Sequence, residues 1–114
     1  RNKVPDSDPL EFHGGSFKIA TRCNCPIIVL SGYGTARPLD TKLNYKSYPV
    51  FLNITKVEPS EYANMSTTEL AAYCRNIVAK NVSRFREMDK EYMSKKLYNQ
   101  KLPKGKNTWW YKFK

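Results

Sequence analysis

The sequence lacks several patterns that would assign it to a common class. It has no apolar stretch of the roughly 20 residues that a bilayer-spanning helix needs, and no pattern of a secretory signal peptide. Its three cysteines, Cys23, Cys25 and Cys74, have poor spacing for a zinc site, and no second ligand cluster follows. We interpret them as reduced cytosolic thiols that serve in packing, since a structural disulfide is not expected in that compartment.

Acidic residues are also scarce. The 114 residues include 10 Asp and Glu against 20 Lys and Arg, which gives a net charge of +10. Residues 1–74 carry a net charge of only +1, whereas residues 75–114 carry +9. A chain of this length forms one domain or part of one, with a modest core. The excess positive charge therefore lies on the last predicted helix and the tail.

The most informative pattern runs from Glu11 to Thr35 and begins with a helix. Gly14 and Gly15 have access to backbone conformations that are closed to other residues, and Ser16 is a candidate helix cap. The pattern predicts a short helix through Arg22. Its apolar side is formed by Phe17, Ile19 and Ala20, and its end is marked by Asn24 and Pro26.

A strand is expected directly after this helix. Residues 27–30 form a continuous apolar run that is too short for a buried helix and rich in β-branched side chains. Such a run predicts a strand covered on both faces, as in parallel sheets. Helix and strand together indicate one α/β unit, a pattern that many α/β proteins share.

The amino-acid sequence of this unit resembles that of the glycerolipid acyltransferases, above all the 1-acyl-sn-glycerol-3-phosphate (lysophosphatidate) acyltransferases. That family has a Phe-x-x-Gly-[Ser/Ala] helix start, a Pro-Ile-[Ile/Val] strand and a Gly-[Thr/Ser] turn. The matching residues here are Phe12, Gly15 and Ser16, then Pro26-Ile27-Ile28, then Gly34-Thr35. The resemblance implies the C-terminal portion of the glycerol-3-phosphate acyltransferase-like fold, a mixed sheet covered by helices with a long C-terminal helix.

The family also carries a Glu-Gly-Thr-Arg signature and, further upstream, a catalytic His-x-x-x-x-Asp. By resemblance, Arg1 is the last residue of the signature and helps to hold the phosphate of the acyl acceptor, as a guanidinium does through paired hydrogen bonds. The only histidine is His13, and Lys18 stands where the aspartate is needed. No general base is therefore identified in this chain. We expect the chain by itself to have no acyl-transfer activity.

The resemblance implies a bacterial-type membrane-associated enzyme of phospholipid biosynthesis as the parent protein. Such an enzyme moves a fatty acyl group from acyl-CoA or acyl carrier protein to lysophosphatidic acid, which gives phosphatidic acid. It needs no metal or organic cofactor and works at the cytoplasmic face of the cell membrane. The resemblance further implies that four residues form the scaffold of the substrate groove: Phe12, Gly15, Ser16 and Pro26. The headgroup preference and the acyl length are left open.

The second half of the chain has the clearest local signal. A strand is predicted within Tyr48–Val57, followed by a turn with an acidic helical start from Glu58 to Tyr62. Ser66 and Glu69 form a capping box, and Met65 and Leu70 are placed for a hydrophobic staple. The helix that follows has one apolar stripe for packing on the sheet, formed by Leu70, Tyr73, Cys74, Ile77, Val78 and Phe85. The family ends its domain with a similar Met-Ser-x-x-Glu-Leu helix.

Two basic segments have more than one interpretation. Arg37, Lys42 and Lys46 are placed to attract an anionic headgroup or simply to form a solvated loop. Residues 88–114 are predicted to be a basic extension of a domain that ends near residue 87. Its Trp109, Trp110 and Tyr111 suit contact with an anionic membrane or packing against the domain, both ahead of stacking on nucleic acid. A non-catalytic basic module that contacts anionic membrane or nucleic acid is therefore the alternative function.

Overall fold

The computed structural model describes residues 4–37 and 48–95. A 3₁₀-helix at Gly14–Phe17 is followed by helix α1 (Lys18–Cys23) and strand β1 (Ile27–Tyr33). Strand β2 (Phe51–Val57), a short helix α2 (Pro59–Tyr62) and a long helix α3 (Thr67–Ser94) come after them. The expected α/β class is confirmed. None of the helices in these two ranges is long and apolar enough to cross a membrane.

The two strands pair antiparallel, from Ile27 opposite Val57 to Tyr33 opposite Phe51. Because side chains alternate along a strand, Val29, Ser31 and Tyr33 point toward α3 and are buried. Ile28 and Leu30 point away and are exposed. The expectation of a strand covered on both faces, as in a parallel sheet, is therefore wrong for the described residues, since only one face is covered.

The helix at the start of the unit differs from its prediction in detail. Ser16 lies inside the 3₁₀-helix, and neither that helix nor α1 has a side-chain cap, so Ser16 is not the cap. Ile19 is 72% exposed and does not belong to the apolar side. The predicted end is confirmed, because Asn24 takes a left-handed conformation with φ of 49° and caps the carboxyl end of α1.

Neither Gly14 nor Gly15 uses the left-handed conformation that glycine permits. Among the described glycines only Gly34 does, with φ of 79°. A Cβ at Gly14 would lie 3.2 Å from the backbone of Thr67, so the missing side chain lets the 3₁₀-helix approach the start of α3. A Cβ at Gly15 would meet only open space.

The predicted helix caps of the second half are confirmed. Ser66 Oγ accepts a hydrogen bond from the amide of Glu69 at 3.2 Å, and the Glu69 carboxylate accepts one from the amide of Ser66 at 2.7 Å. Glu58 and Glu61 form a second capping box at the start of α2. These reciprocal contacts satisfy amides that a helix start leaves unpaired. Helix α3 is continuous through residues 87 and 88, so the predicted domain boundary falls inside it.

The core lies between α3 and the sheet. One cluster joins the strands, α2 and the first half of α3, and a second joins the far end of the hairpin to the second half of α3. The first contains Val29, Val57, Tyr62, Leu70 and Cys74, and the second contains Tyr33, Val82 and Phe85. The predicted stripe is confirmed, since Leu70, Cys74 and Phe85 are buried and Tyr73, Ile77 and Val78 pack against them.

Tyr62 connects α2 to the end of α1. Its phenol donates to the backbone carbonyls of Ala20 and Cys25, whose oxygens lie 3.2 Å and 2.5 Å away. The residue is almost completely buried, and this burial raises the pKa of its phenol. The contact fixes the helix–strand unit against the second half of the chain.

We expect Leu70→Ser to destabilise the fold by at least about 3 kcal/mol, because it leaves a cavity and a buried hydroxyl at a fully buried position. The measurement is the free energy of unfolding in urea. Ile19→Ser, at an exposed position, is the control and should change it by less than about 0.5 kcal/mol. Equal effects of the two changes would contradict the assigned core.

We expect the stability to fall at alkaline pH because of Tyr62. A phenol with a raised pKa in the folded state contributes fully below its unfolded pKa, which is about 10, and its contribution is lost as the pH rises through the folded pKa. Urea midpoints measured from pH 8 to 11.5 should show this loss, and Tyr62→Phe should reduce it. An unchanged alkaline profile in Tyr62→Phe would refute the assignment.

Candidate functional site

A cleft of about 460 Å³ lies between the segment before the 3₁₀-helix and the first half of α3. The segment contributes Glu11 and Phe12. Helix α3 contributes Thr68, Ala72, Arg75 and Asn76. The walls therefore combine an aromatic ring with a carboxylate, a guanidinium, an amide and a hydroxyl. Five of the six lining residues are exposed, so the cleft is open to solvent, and its polar groups can orient a ligand that lies on this surface.

Arg75 has an unusual environment within this cleft. Its Nε atom is buried and has no hydrogen-bond partner among the described residues. A buried donor without a partner costs free energy. Because the Nε atom is buried, it is not itself open to a ligand in the cleft, although Arg75 lines that cleft. Helix α3 fixes the position of Arg75, because Leu70, Ala71 and Cys74 next to it are buried in the core.

A second cleft of about 330 Å³ is also lined by Phe12 and Glu11. Its remaining walls are His13, Ser16 and Phe17. The two clefts share Glu11 and Phe12, so they are adjacent, one beside the 3₁₀-helix and one beside α3. We call this surface the Phe12 groove, and it is the candidate functional site.

The predicted scaffold residues are only partly brought together by the fold. Phe12 and Ser16 line the Phe12 groove, whereas Gly15 and Pro26 are exposed and are not among its lining residues. His13 is an exposed residue before the 3₁₀-helix and lines the smaller cleft. Ser16 thus has a place in the groove, although it does not cap the helix.

Several predicted residues lie outside the described ranges. They are Arg1, the candidate for phosphate binding, the loop lysines Lys42 and Lys46, and the candidate membrane contacts Trp109, Trp110 and Tyr111. The predictions for these residues remain predictions. The three cysteines are described and are all free, with Cys23 exposed, Cys25 half-buried and Cys74 buried.

Arg37 has a structural partner and is not a free headgroup-binding residue. Its two terminal nitrogens donate to the two carboxylate oxygens of Asp89 at 2.7 Å and 2.6 Å, and one of them also donates to the carbonyl of Pro49 at 3.3 Å. Its guanidinium lies 5.6 Å and 5.9 Å from the ring centres of Tyr33 and Tyr48. The hydrogen bonds to Asp89 raise the pKa of Arg37. The expected role of Arg37 at an anionic headgroup is therefore corrected.

The sequence did not reveal a second polar contact, inside the interface between α3 and the sheet. The Asn81 amide donates to Ser31 Oγ at 3.0 Å and to Asn53 Oδ1 at 3.3 Å. Ser31 is completely buried, so this contact satisfies a polar group that would otherwise lack a partner. A signal was present, since Asn81 and Asp89 are polar residues at positions that continue the spacing of the apolar stripe.

The N-terminal segment is held by polar contacts near the turn of the hairpin. The amide of Gly34 donates to Asp6 Oδ1 at 2.7 Å. Arg86 on α3 donates to the carbonyl of Asp6 at 3.3 Å and to the carboxylate of Asp8 at 3.1 Å. These bonds attach residues 6–8 to the end of β1 and to α3. Because Glu11 and Phe12 follow closely in the chain, the bonds help to position one wall of the Phe12 groove.

Comparison with known proteins gives no further identification. No protein-family model matches the chain, and neither a curated protein nor a solved structure matches it. Within the part of the chain that the structure describes, no group of three or more His, Cys, Asp and Glu side chains is placed to hold a metal ion.

We expect Asp89→Asn to destabilise the fold by about 3 kcal/mol, because it leaves the mostly buried Arg37 guanidinium without its counter-charge. The matched control is Glu87→Gln, which removes an exposed ion pair to Lys90 on the same helix and should cost less than about 1 kcal/mol. Urea unfolding of both variants makes the comparison. A loss in Asp89→Asn no larger than in the control would show that the pair does not stabilise the fold.

Proposed function

We propose that this chain is the C-terminal part of a glycerolipid acyltransferase that acylates lysophosphatidic acid to phosphatidic acid. The observation that carries the proposal is the Phe12 groove. Two of the three residues that resemble the family's helix start, Phe12 and Ser16, line it, and Arg75 lies in its wall. The acyl donor is a thioester, either acyl-CoA or acyl carrier protein.

The chemistry of the groove matches the acceptor in three respects. Arg75 supplies a guanidinium to the lining of the cleft, a group that binds phosphate well, and Asn76 and Thr68 add polar groups to the same lining. Glu11 supplies a carboxylate that can accept from a free hydroxyl. Phe12 and Ala72 supply apolar wall for the glycerol and the start of the acyl chain. A lysophospholipid with a phosphate, a free hydroxyl and one acyl chain presents all three kinds of group.

The reaction itself requires a base that removes the proton of the acceptor hydroxyl while its oxygen attacks the thioester carbonyl. The thiol of the donor leaves, and an ester bond replaces the thioester. We assign no residue of this chain to that role. The chain contributes the binding wall, and the base is expected in another part of the parent protein. No metal or organic cofactor is part of the proposal.

The alternative, a basic module without enzymatic function, receives less support from the described residues. Arg86 and Lys90 on α3 and Lys95 at its carboxyl end form ion pairs, with Asp8, Glu87 and Glu91 respectively. The remaining positive charge of this half lies largely in residues 96–114, outside the described ranges. Each of these ion pairs reduces the attraction of α3 to an anionic membrane or to nucleic acid.

We expect the product of the whole open reading frame to form phosphatidate from acyl-CoA and lysophosphatidate, and the 114-residue chain to form none. In the complete protein, Arg75→Met should raise KM for lysophosphatidate by roughly tenfold, as the loss of a charged hydrogen bond predicts. The measurement is phosphatidate formation followed by mass spectrometry. Arg84→Met, which removes an exposed arginine from the same helix, is the control and should leave KM unchanged.

Each outcome of this experiment has a definite meaning. Phosphatidate formation by the 114-residue chain would overturn the assignment of the base to another part of the protein. A complete protein without acyl-transfer activity that nevertheless binds anionic vesicles would favour the alternative function. Equal KM values for the two arginine variants would remove the Phe12 groove from the acceptor site.

A further inference from the structure

The face of the sheet that points away from α3 is aliphatic and is covered by no described residue. Five large side chains on it are between 49% and 64% exposed, namely Ile28, Leu30, Val50, Leu52 and Ile54. We call this surface the aliphatic face. The one charged side chain on this side of the two strands, Lys56, is paired with Glu58 at 2.6 Å. An exposed apolar patch of this kind on a folded protein marks an interaction site.

The aliphatic face has a gap at Gly32. This residue is exposed on β1 opposite Leu52, and it takes the place where the next outward side chain after Leu30 would stand. A Cβ at Gly32 would lie 3.4 Å from Thr35 Cγ2 and 4.0 Å from Leu52 Cδ1, so these two side chains border the gap. Aromatic rings pack well on the backbone of a glycine in an edge strand. The shape of the face therefore favours an occupant with aromatic side chains.

The chain itself has a segment with a complementary pattern within residues 96–114, which lie outside the described ranges. From residue 109 onward, aromatic rings stand at every second position, and the positions between them include two lysines. The first set is Trp109, Tyr111 and Phe113, and the second is Trp110, Lys112 and Lys114. Successive side chains of an extended chain point to opposite sides. In an extended conformation, the three rings would therefore share one side, at the spacing of the outward rows of β1 and β2, and both lysines would share the other.

Helix α3 ends close enough to the aliphatic face for this segment to reach it. Arg37 joins Asp89 of the helix to the carbonyl of Pro49, which lies just before β2. The helix ends at Ser94, about 8 Å further along its axis. A path back over this distance and past the sheet, with a layer about 10 Å away on each side, covers roughly 30 Å. Residues 96–107 can span about 40 Å, so the aromatic positions lie within reach.

The other internal segment outside the described ranges, residues 38–47, is too short to cover the aliphatic face. Both of its ends are held at one end of the sheet, since Arg37 donates to the carbonyl of Pro49. A segment of this length that leaves one point and returns to it reaches about 17 Å at most. The strands, with seven residues each, are about 23 Å long.

A lipid surface and a second copy fit the aliphatic face less well than the chain's own segment. Both edges of the two-stranded sheet carry backbone groups without a strand partner among the described residues, and hydrocarbon cannot satisfy such groups. The net charge of +10 disfavours association between copies. A segment tethered to the same chain is instead present at an effective concentration on the order of millimolar.

We propose that residues 109–113 lie extended across the aliphatic face. The rings on one side, those of Trp109, Tyr111 and Phe113, pack against the aliphatic side chains, and Trp110 is directed to solvent. Each packed ring removes up to roughly 150–250 Å² of its surface from water. These rings are then held by the domain and are not free to contact a membrane. The proposal uses only the fold and the sequence after α3, so it does not rest on the proposed function.

The test is tryptophan fluorescence, because Trp109 and Trp110 are the only two tryptophans of the chain. In the 114-residue chain, Trp110→Phe leaves Trp109 as the single reporter, and Trp109→Phe leaves Trp110. The two variants differ only in which side of the segment carries the indole. Trp109 should emit at a shorter wavelength than Trp110. Its acrylamide quenching constant should be severalfold smaller, because a covered indole is reached only after local opening.

A charge on the sheet tests the same contact from the other side. Leu30→Lys in the Trp110→Phe background should raise the quenching constant of Trp109 severalfold, since a covered lysine without a partner is costly. Ile19→Lys adds the same charge on α1, at a position that is 72% exposed, and is the matched control. It should leave the quenching constant unchanged. Ile54→Lys tests the contact with β2 in the same way.

Four results would overturn the proposal. The first is equal quenching of the two tryptophans in the single-tryptophan variants, and the second is an equal effect of Leu30→Lys and Ile19→Lys. The third is protection of Trp109 that appears only when phosphatidylglycerol vesicles are added, which would identify a lipid surface as the partner of the segment. The fourth is protection that increases with protein concentration, which would identify a second copy as the occupant.

Discussion

The packing of α3 on β1 is the contact on which the rest of the structure depends. A two-stranded sheet is marginal in water, and it becomes stable when one face is packed against a helix. Here the apolar stripe of α3, which includes Leu70 and Cys74, packs on that face, and Val57 of β2 completes the contact. The short helices are positioned by the same core, because Tyr62 reaches from it to the end of α1.

Polar contacts fix how α3 lies on the sheet. Apolar side chains alone tolerate small shifts, whereas the hydrogen bonds from Asn81 to Ser31 and Asn53 and from Arg37 to Asp89 require one arrangement. The second contact also pairs Arg37, which the sequence analysis considered for binding an anionic ligand. Arg75, which lies in the wall of the Phe12 groove, was not singled out by the sequence analysis.

The Phe12 groove and the open side of the sheet lie on different parts of the fold. The Phe12 groove is built from α3 and the segment around the start of the 3₁₀-helix, whereas Ile28, Leu30 and Ile54 are exposed on the side of the sheet that α3 leaves open.

The sequence by itself determined the elements that depend on neighbouring residues: the capping box at Ser66 and Glu69, the stripe of α3, the end of α1 at Asn24 and the existence of both strands. These features follow from local hydrogen bonding and from side-chain periodicity. Only the tertiary structure decided which face of β1 is covered, that Arg37 pairs with Asp89, and that Phe12 lies beside Arg75. Those contacts join residues that are far apart in the sequence, 52 positions in the case of Arg37 and Asp89, and no local pattern encodes which distant partner a charge or an aromatic ring will meet.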